Sequence, residues 1–219
     1  KIPVASIGTL GIKLKNEIIK SDLTSPDTIF LHKILQKIKK KKIENVIIEA
    51  SSHGLHQKRI DHLKLKAGIF TNFSQDHLDY HKSMKSYLDA KLHLFKKILQ
   101  NRKAIISDKS IKEFSKLKKI SKQKNLRLID ISHMREKVKK IVSSKLNEFQ
   151  IKNLSMAAIA AKMCNVKETK IFSSFKNLKD VDGRLELVKV FSNNIKVYID
   201  FAHTPDALKK SLEALKIKH

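Results

Sequence analysis

What most constrains this chain is its alternation of short apolar runs with longer amphipathic ones. Val46-Ile-Ile48, Gly68-Ile-Phe70 and Lys103–Ser107 are each three to five residues long and end in polar turns. Between them lie stretches with an apolar residue every three or four positions. That order predicts parallel strands joined by helices, an α/β fold with a mostly parallel sheet flanked by helices. Strands are expected at Pro3–Ile7, Asn45–Ala50, Ala67–Thr71, Lys103–Ser107, Leu126–Ile131 and Val197–Phe201. Asn45–Ala50 reads as buried. A helix is predicted from Pro26 to Lys42, capped by Ser25, with Phe30, Ile34 and Ile38 on its inner face. Others are expected at Met84–Leu99, in the lysine-rich stretch after Ser107, at Ile151–Cys164, and after Thr204, where Leu208, Leu212 and Leu215 share a face. Residues 133–147 show no clear period.

The charge has to be weighed before any site is. The 219 residues carry 47 Lys and Arg against 21 Asp and Glu, a net charge of +26. A field of that size attracts polyanions. Yet only five of the cations are arginine (Arg59, Arg102, Arg127, Arg135, Arg184), and they are scattered rather than gathered in a stripe. No aromatic residues alternate with them to stack bases. Lysine filling solvated positions is therefore the expectation, with no nucleic-acid partner. No apolar run reaches the ~20 residues of a spanning helix, and no signal-peptide layout is present, so no membrane partner is expected. Cys164 is the only cysteine, which fits a reducing cytoplasm.

Polar residues crowd the ends of the predicted strands, where open α/β sheets bind ligands. Glu49 closes one strand and is followed by Ser51, Ser52, His53, Gln57 and Arg59. After the next strand, Asp76, His77, Asp79 and His81 fall within six residues. Such oxygen and imidazole donors suit a cation, and magnesium in particular needs only one or two carboxylates beside phosphate and water. A zinc-dependent hydrolase using Glu49, His77 and His81 is one alternative, and a basic nucleic-acid-binding module another. Lys91 is one solvated lysine among dozens on composition alone. Asp200 ends the last strand at the start of a helix.

Taken in order, Glu49-Ala-Ser-Ser-His-Gly-Leu55, Thr71-Asn-Phe-Ser-Gln-Asp-His-Leu-Asp-Tyr-His81, Ala90-Lys-Leu-His-Leu-Phe95, Gly183-Arg-Leu-Glu186 and Asp200-Phe-Ala-His-Thr-Pro-Asp-Ala-Leu208 resemble the Mur ligases of the MurE branch. These enzymes use ATP to join an amino acid to a UDP-N-acetylmuramoyl peptide in peptidoglycan synthesis. The resemblance implies a cytoplasmic ATP-dependent carboxylate–amine ligase, monomeric when full length. It would add the third amino acid, meso-diaminopimelate by preference over lysine, to UDP-N-acetylmuramoyl-L-alanyl-D-glutamate through an acyl phosphate.

The same resemblance implies roles for individual residues. Glu49, His77 and a carbamylated Lys91 would be the catalytic, magnesium-holding group. Thr24, Ser25, Ser51, Gln57 and Arg59 would bind the UDP-sugar dipeptide, with Ser25 in place of a usual threonine. Asn153, Arg184, Asp200 and His203 would lie around the nucleotide. Residues 1–180 would form the central ATPase-type domain, and 181–219 the first strand and helix of a C-terminal α/β domain. None of the five glycines belongs to a G-x-x-x-x-G-K-[ST] phosphate loop. The expectation is therefore a fragment cut at both ends, starting after that loop and inactive alone. The region around 133–147 is expected to be shorter than in the family, with a strand pair lost.

Overall fold

The structure, a computed structural model, describes residues 2–142 and 146–216. The first strand, β1 (Val4–Gly8), buries Ala5 and Ile7 on one face, the period of two that a half-covered strand requires. It pairs in parallel with β4 (Asn45–Ile48), Ala5 opposite Val46 and Ile7 opposite Ile48. On its other side the chain turns back at once. Gly8 and Gly11 close a two-residue loop, and β2 (Gly11–Leu14) runs antiparallel to β1. A second two-residue loop, Lys15-Asn16, leads into β3 (Glu17–Ile19). The sheet order is β3-β2-β1-β4. The sequence reading placed no strand at β2 or β3.

Helix α1 (Thr28–Lys40) is amphipathic, with Leu31, Ile34 and Ile38 buried, so the inner face is set by Leu31 rather than Phe30. Asp27, not Ser25, caps it, accepting from the Phe30 amide at 3.0 Å. The strand β4 is less buried than expected. Ile47 is 63% exposed, because no described residue covers the face of the sheet it points to.

A second sheet has the order β5-β6-β7, from β5 (Ala67–Phe70), β6 (Ala104–Ser107) and β7 (Arg127–Asp130). β6 and β7 run parallel: the Arg127 amide donates to the Lys103 carbonyl, and the Ile131 amide to that of Ser107, so both strands advance together. The short helices α2 (Ser52–His56) and α3 (Leu78–His81) lead to α4 (Met84–His93). The expected helix to residue 99 is continued as one π-helical segment, Leu94–Ile98, closed by the Leu99 amide on the Leu94 carbonyl at 2.9 Å. Helix α5 (Phe114–Gln123) buries Leu117 and Ile120.

Residues 133–142, which showed no period by eye, belong to α6 (Ser132–Val142), with Met134, Val138 and Val142 buried at helical spacing. Residues 143–145 lie outside the described residues. Helix α7 (Glu148–Met163) opens with a reciprocal capping box between Asn147 and Gln150. It is followed by α8 (Glu168–Ser174), the antiparallel strands β8 (Glu186–Val190) and β9 (Lys196–Ile199), and α9 (Pro205–Lys216). In α9 the expected face is turned round: Leu208 and Leu212 are each 52% exposed, whereas Ser211 and Ala214 are buried. Ser211 Oγ donates to Asp200 at 3.1 Å, which turns that side inward.

The chain divides into two units. The first comprises residues 1–70, 77–106 and 112–129, and the second 71–76, 107–111 and 130–219. The core of the first is built by Ile7, Ile12, Leu14, Leu31, Phe95, Ile105 and Leu117, and that of the second by Ile131, Val138, Ile151, Met156 and Ile171. No described helix is long and apolar enough to cross a membrane.

Candidate active site

In the first unit the site grows from the parallel ends of β1 and β4. Glu49 follows β4 directly, and its amide donates to the Ile7 carbonyl at 2.8 Å. One carboxylate oxygen, Oε2, accepts from both the amide and the hydroxyl of Thr9, at 2.8 and 2.9 Å. With its proton committed to Glu49, the Thr9 hydroxyl accepts from Thr24 Oγ1 at 3.1 Å. Gly8 makes this approach possible. A Cβ there would lie 2.5 Å from Glu49 Oε2, closer than any side chain can sit. The carboxylate itself is exposed.

Ser25 is fully buried and works inward. Its hydroxyl donates to the Glu49 carbonyl at 2.8 Å and accepts from the Ser51 amide at 2.9 Å. Its own carbonyl accepts from Arg59 Nη1 at 2.7 Å. Ser51 caps α2 by accepting from the Gly54 amide at 3.0 Å, and Gly54 is needed because a Cβ would lie 2.6 Å from Ser25 Cβ. Arg59 Nη2 donates to Gln57 Oε1. Thus the structure brings Thr24, Ser25, Ser51, Gln57, Arg59 and Glu49 onto one polar edge of the sheet.

Beside them lies a cluster of rings that sequence reasoning noticed only in part. His53 is 4.9 Å from His77, 4.2 Å from Tyr80 and 5.5 Å from His81, centroid to centroid. His81 stacks on Tyr87 at 5.2 Å. Only 4% of His81 is exposed, and its Nε2 lies 3.0 Å from Ser52 Oγ. Burial, helped by the neighbouring His53, His56 and His77, pushes the His81 imidazole below its ordinary pKa. Its Nδ1, also buried, has no hydrogen-bond partner among the described residues. Among the described residues no group of three His, Cys, Asp or Glu side chains could hold a metal.

His77 is held differently. Its backbone is left-handed (φ 52°) at the start of α3, a costly conformation for a residue with a Cβ. It presents its ring edge-on to Tyr87 at 5.8 Å. Lys91, one turn after Tyr87 on α4, places Nζ 5.1 Å from that ring's centroid. Half-buried against an aromatic ring, Lys91 is not the ordinary solvated lysine that composition suggests. Thr9 and Tyr80 were missed altogether. The signal for Thr9 was its place between Gly8 and Gly11 at a strand end.

In the second unit Asp200 is a knot of local structure. Oδ2 accepts from the Leu185 amide at 2.8 Å, and Oδ1 from the Ala202 amide at 2.8 Å. Arg184 lies over the Phe201 ring at 4.9 Å, and the ring of Phe201 lies 5.4 Å from that of His203. His203 Nε2 is 3.8 Å from Asp76. Arg184, Asp200 and His203 therefore share one turn. Asn153 is exposed on α7, next to Lys152, whose ammonium pairs with buried Asp108 at 2.9 Å.

A protein from Chelativorans sp. (strain BNC1), UDP-N-acetylmuramoyl-L-alanyl-D-glutamate–2,6-diaminopimelate ligase, is 31% identical over 98% of this chain and 49% of its own length. Its namesake from Zymomonas mobilis is 35% identical over 97% of this chain and 48% of its own. A solved structure of a ligase of that name superposes with a TM-score of 0.74 at 22% identity, covering 98% of this chain and 48% of that one. The chain thus spans about half the length of the curated relatives it matches. The family model described as "Mur ligase middle domain" matches residues 2–176, and on that match the chain belongs to the Mur ligase family.

Proposed function

We propose that this chain supplies the middle of a cytoplasmic, ATP-dependent ligase that adds meso-diaminopimelate to UDP-N-acetylmuramoyl-L-alanyl-D-glutamate. Its relatives carry that activity in their names. The observation that carries the reading is the strand-end edge. An exposed carboxylate, Glu49, is fixed through one oxygen by Thr9, and Arg59 is fixed beside it by Ser25 and Gln57. Residues 1–180 then form the central domain, a reading supported by the family match ending at residue 176. Residues 181–219 open the next domain.

The donor set fits magnesium. Glu49 Oε1 has no hydrogen-bond partner among the described residues, so one carboxylate oxygen is held and the other is available. Glu49, His77 and a carbamylated Lys91 would hold the ion. When bound, Mg2+ neutralises the negative charge that accumulates as phosphate meets carboxylate. The chain's own residues then orient the reactants. Arg59 has donors left over after Ser25 and Gln57 are satisfied, and these grip an anionic part of the UDP-sugar dipeptide. Ser51, Gln57 and Thr24 offer neutral hydrogen bonds beside it, and Ser25 contributes by fixing Arg59. Asn153, Arg184, Asp200 and His203 serve the nucleotide. The substrate carboxylate takes the γ-phosphoryl group and ADP leaves. The amine of the amino acid then attacks the acyl carbon and phosphate departs.

The test is ADP release by the whole ligase carrying this chain. Turnover should require the UDP-sugar dipeptide, Mg2+ and meso-diaminopimelate together, and Glu49→Ala should abolish most of kcat. Equal turnover with L-lysine would remove the substrate assignment, and full activity of Glu49→Ala would remove the site.

A further inference from the structure

The polar edge around Arg59 extends to a residue that no part of the reading above uses. Arg59 is a pure donor, so the amide group of Gln57 must turn its oxygen toward Nη2. The nitrogen end of the same amide then has one direction left. Nε2 donates to the hydroxyl of Tyr80 at 3.0 Å. That hydroxyl also lies 2.9 Å from Nδ1 of His56, and it donates there in the tautomer that leaves this nitrogen without a proton. The chain of bonds therefore runs His56–Tyr80–Gln57–Arg59–Ser25–Glu49, and every link from Tyr80 to Glu49 has a fixed direction. Gln57 and His56 are both exposed, and an exposed glutamine otherwise turns freely.

Tyr80 is itself fixed. Its ring packs on His53 at 4.2 Å and edge-on against His81 at 4.8 Å, so the hydroxyl is carried on a braced lever. It comes from α3, ten residues beyond the end of β5, and reaches the edge only because α2 and α3 lie together.

We propose that Tyr80 is a positioning residue for substrate recognition: its hydroxyl locks the Gln57 amide, which in turn holds the Arg59 guanidinium in the orientation that grips the anionic UDP-sugar dipeptide. This rests on the reading of Arg59 as a substrate contact. Unlocked, the Gln57 amide can rotate, and Arg59 loses its second anchor. Ser25 alone then fixes one nitrogen but not the plane of the fork.

Tyr80→Phe removes the hydroxyl and keeps the ring. In the whole ligase it should raise KM for the UDP-sugar dipeptide about fivefold, the size of one lost hydrogen bond. The kcat should stay within about twofold, since nothing at the reacting carboxylate changes. Arg59→Lys should raise the same KM, and Tyr80→Phe added to Arg59→Lys should cost almost nothing further. If Arg59→Lys leaves KM unchanged, the parent reading of Arg59 fails. If Arg59→Lys raises KM and Tyr80→Phe does not, only the positioning role fails. Fully additive losses would mean that Tyr80 acts independently of Arg59, which also overturns it. A Tyr80→Phe protein that cannot fold at any assay temperature would make the hydroxyl structural and end the proposal.

Discussion

A single residue can change its chemical sign in this fold, and Lys91 is the case to test. The cation lies near the Tyr87 ring, half-buried. Carbamylation forms an N–C bond between Nζ and carbon dioxide with loss of two protons, one from the ammonium and one as the N–C bond forms, converting a cation into an anion. The attraction to the ring face is then lost, and a nearby cation must replace it. The expected outcome is a carbamate carbon signal in the NMR spectrum of the ligase equilibrated with 13C-bicarbonate. It should be absent in Lys91→Ala, whose kcat should fall by at least about a hundredfold and be partly restored by a short carboxylic acid. A signal unchanged in Lys91→Ala, or a fully active variant, would return Lys91 to the solvated lysines. Sequence alone ranks Lys91 with dozens of others. Only the motif around it, or the ring beneath it, sets it apart. Ser25 shows the converse. It was legible as a hydroxyl at a helix start, but its role as a cap passes to Asp27, because its oxygen is already bonded to Glu49 and Ser51.

Elements show where pattern reading succeeds and where it stops. The parallel pair β1/β4 was legible because apolar runs end in polar turns. The strands β2 and β3 were not, because a three- or four-residue strand such as Gly11–Leu14 carries too few alternations to count. The π-helical segment Leu94–Ile98 was hidden for a different reason: one i→i+5 bond leaves the apolar spacing of the helix almost unchanged. Between α6, α7 and α8 the tie is electrostatic. Glu168 accepts from Lys137 at 2.7 Å and also pairs with Lys162. The two ammonium groups, Lys137 first, hold the Glu168 carboxyl down at about 2. The sign follows from that depression. Above pH 4.5 the carboxylate is charged in both folded and unfolded chains, and the pairing contributes in full. As pH falls from 4.5 toward 2 the unfolded chain takes up the proton first, and the contribution is lost. Glu168→Gln should therefore flatten that part of the stability–pH curve and leave the curve above pH 5 parallel to that of the parent, as measured by urea unfolding. An unaltered acid slope would mean that solvent screens both pairs.

The whole molecule adds a term that no single contact contains. With 47 Lys and Arg against 21 Asp and Glu, 26 positive charges stay uncompensated even if every carboxylate is ionised and paired. That excess charge repels itself across the folded surface, and the repulsion is relieved when the chain expands. Local pairs such as Lys137–Glu168 pull the other way, but exposed pairs contribute only about 0–1 kcal/mol each. Repulsion should prevail. Salt then acts in an unusual direction for a protein with so many ion pairs. At roughly 0.01 M ionic strength the screening length is about 30 Å, comparable to a small domain, so most of the charges interact. At about 0.15 M it falls to roughly 8 Å, and only neighbours do. Raising sodium chloride between those limits should therefore raise the thermal midpoint of this chain, by several degrees if about 1 kcal/mol of repulsion is removed. Sodium chloride keeps the effect separate from sulfate or phosphate, which stabilise by exclusion. Charge reversal at exposed lysines, for example Lys116→Glu with Lys139→Glu, should reproduce part of the gain at low salt and none of it at high salt. A midpoint that falls as salt rises would show that attractive pairs outweigh the net charge, and that the lysines are arranged more carefully than their number suggests.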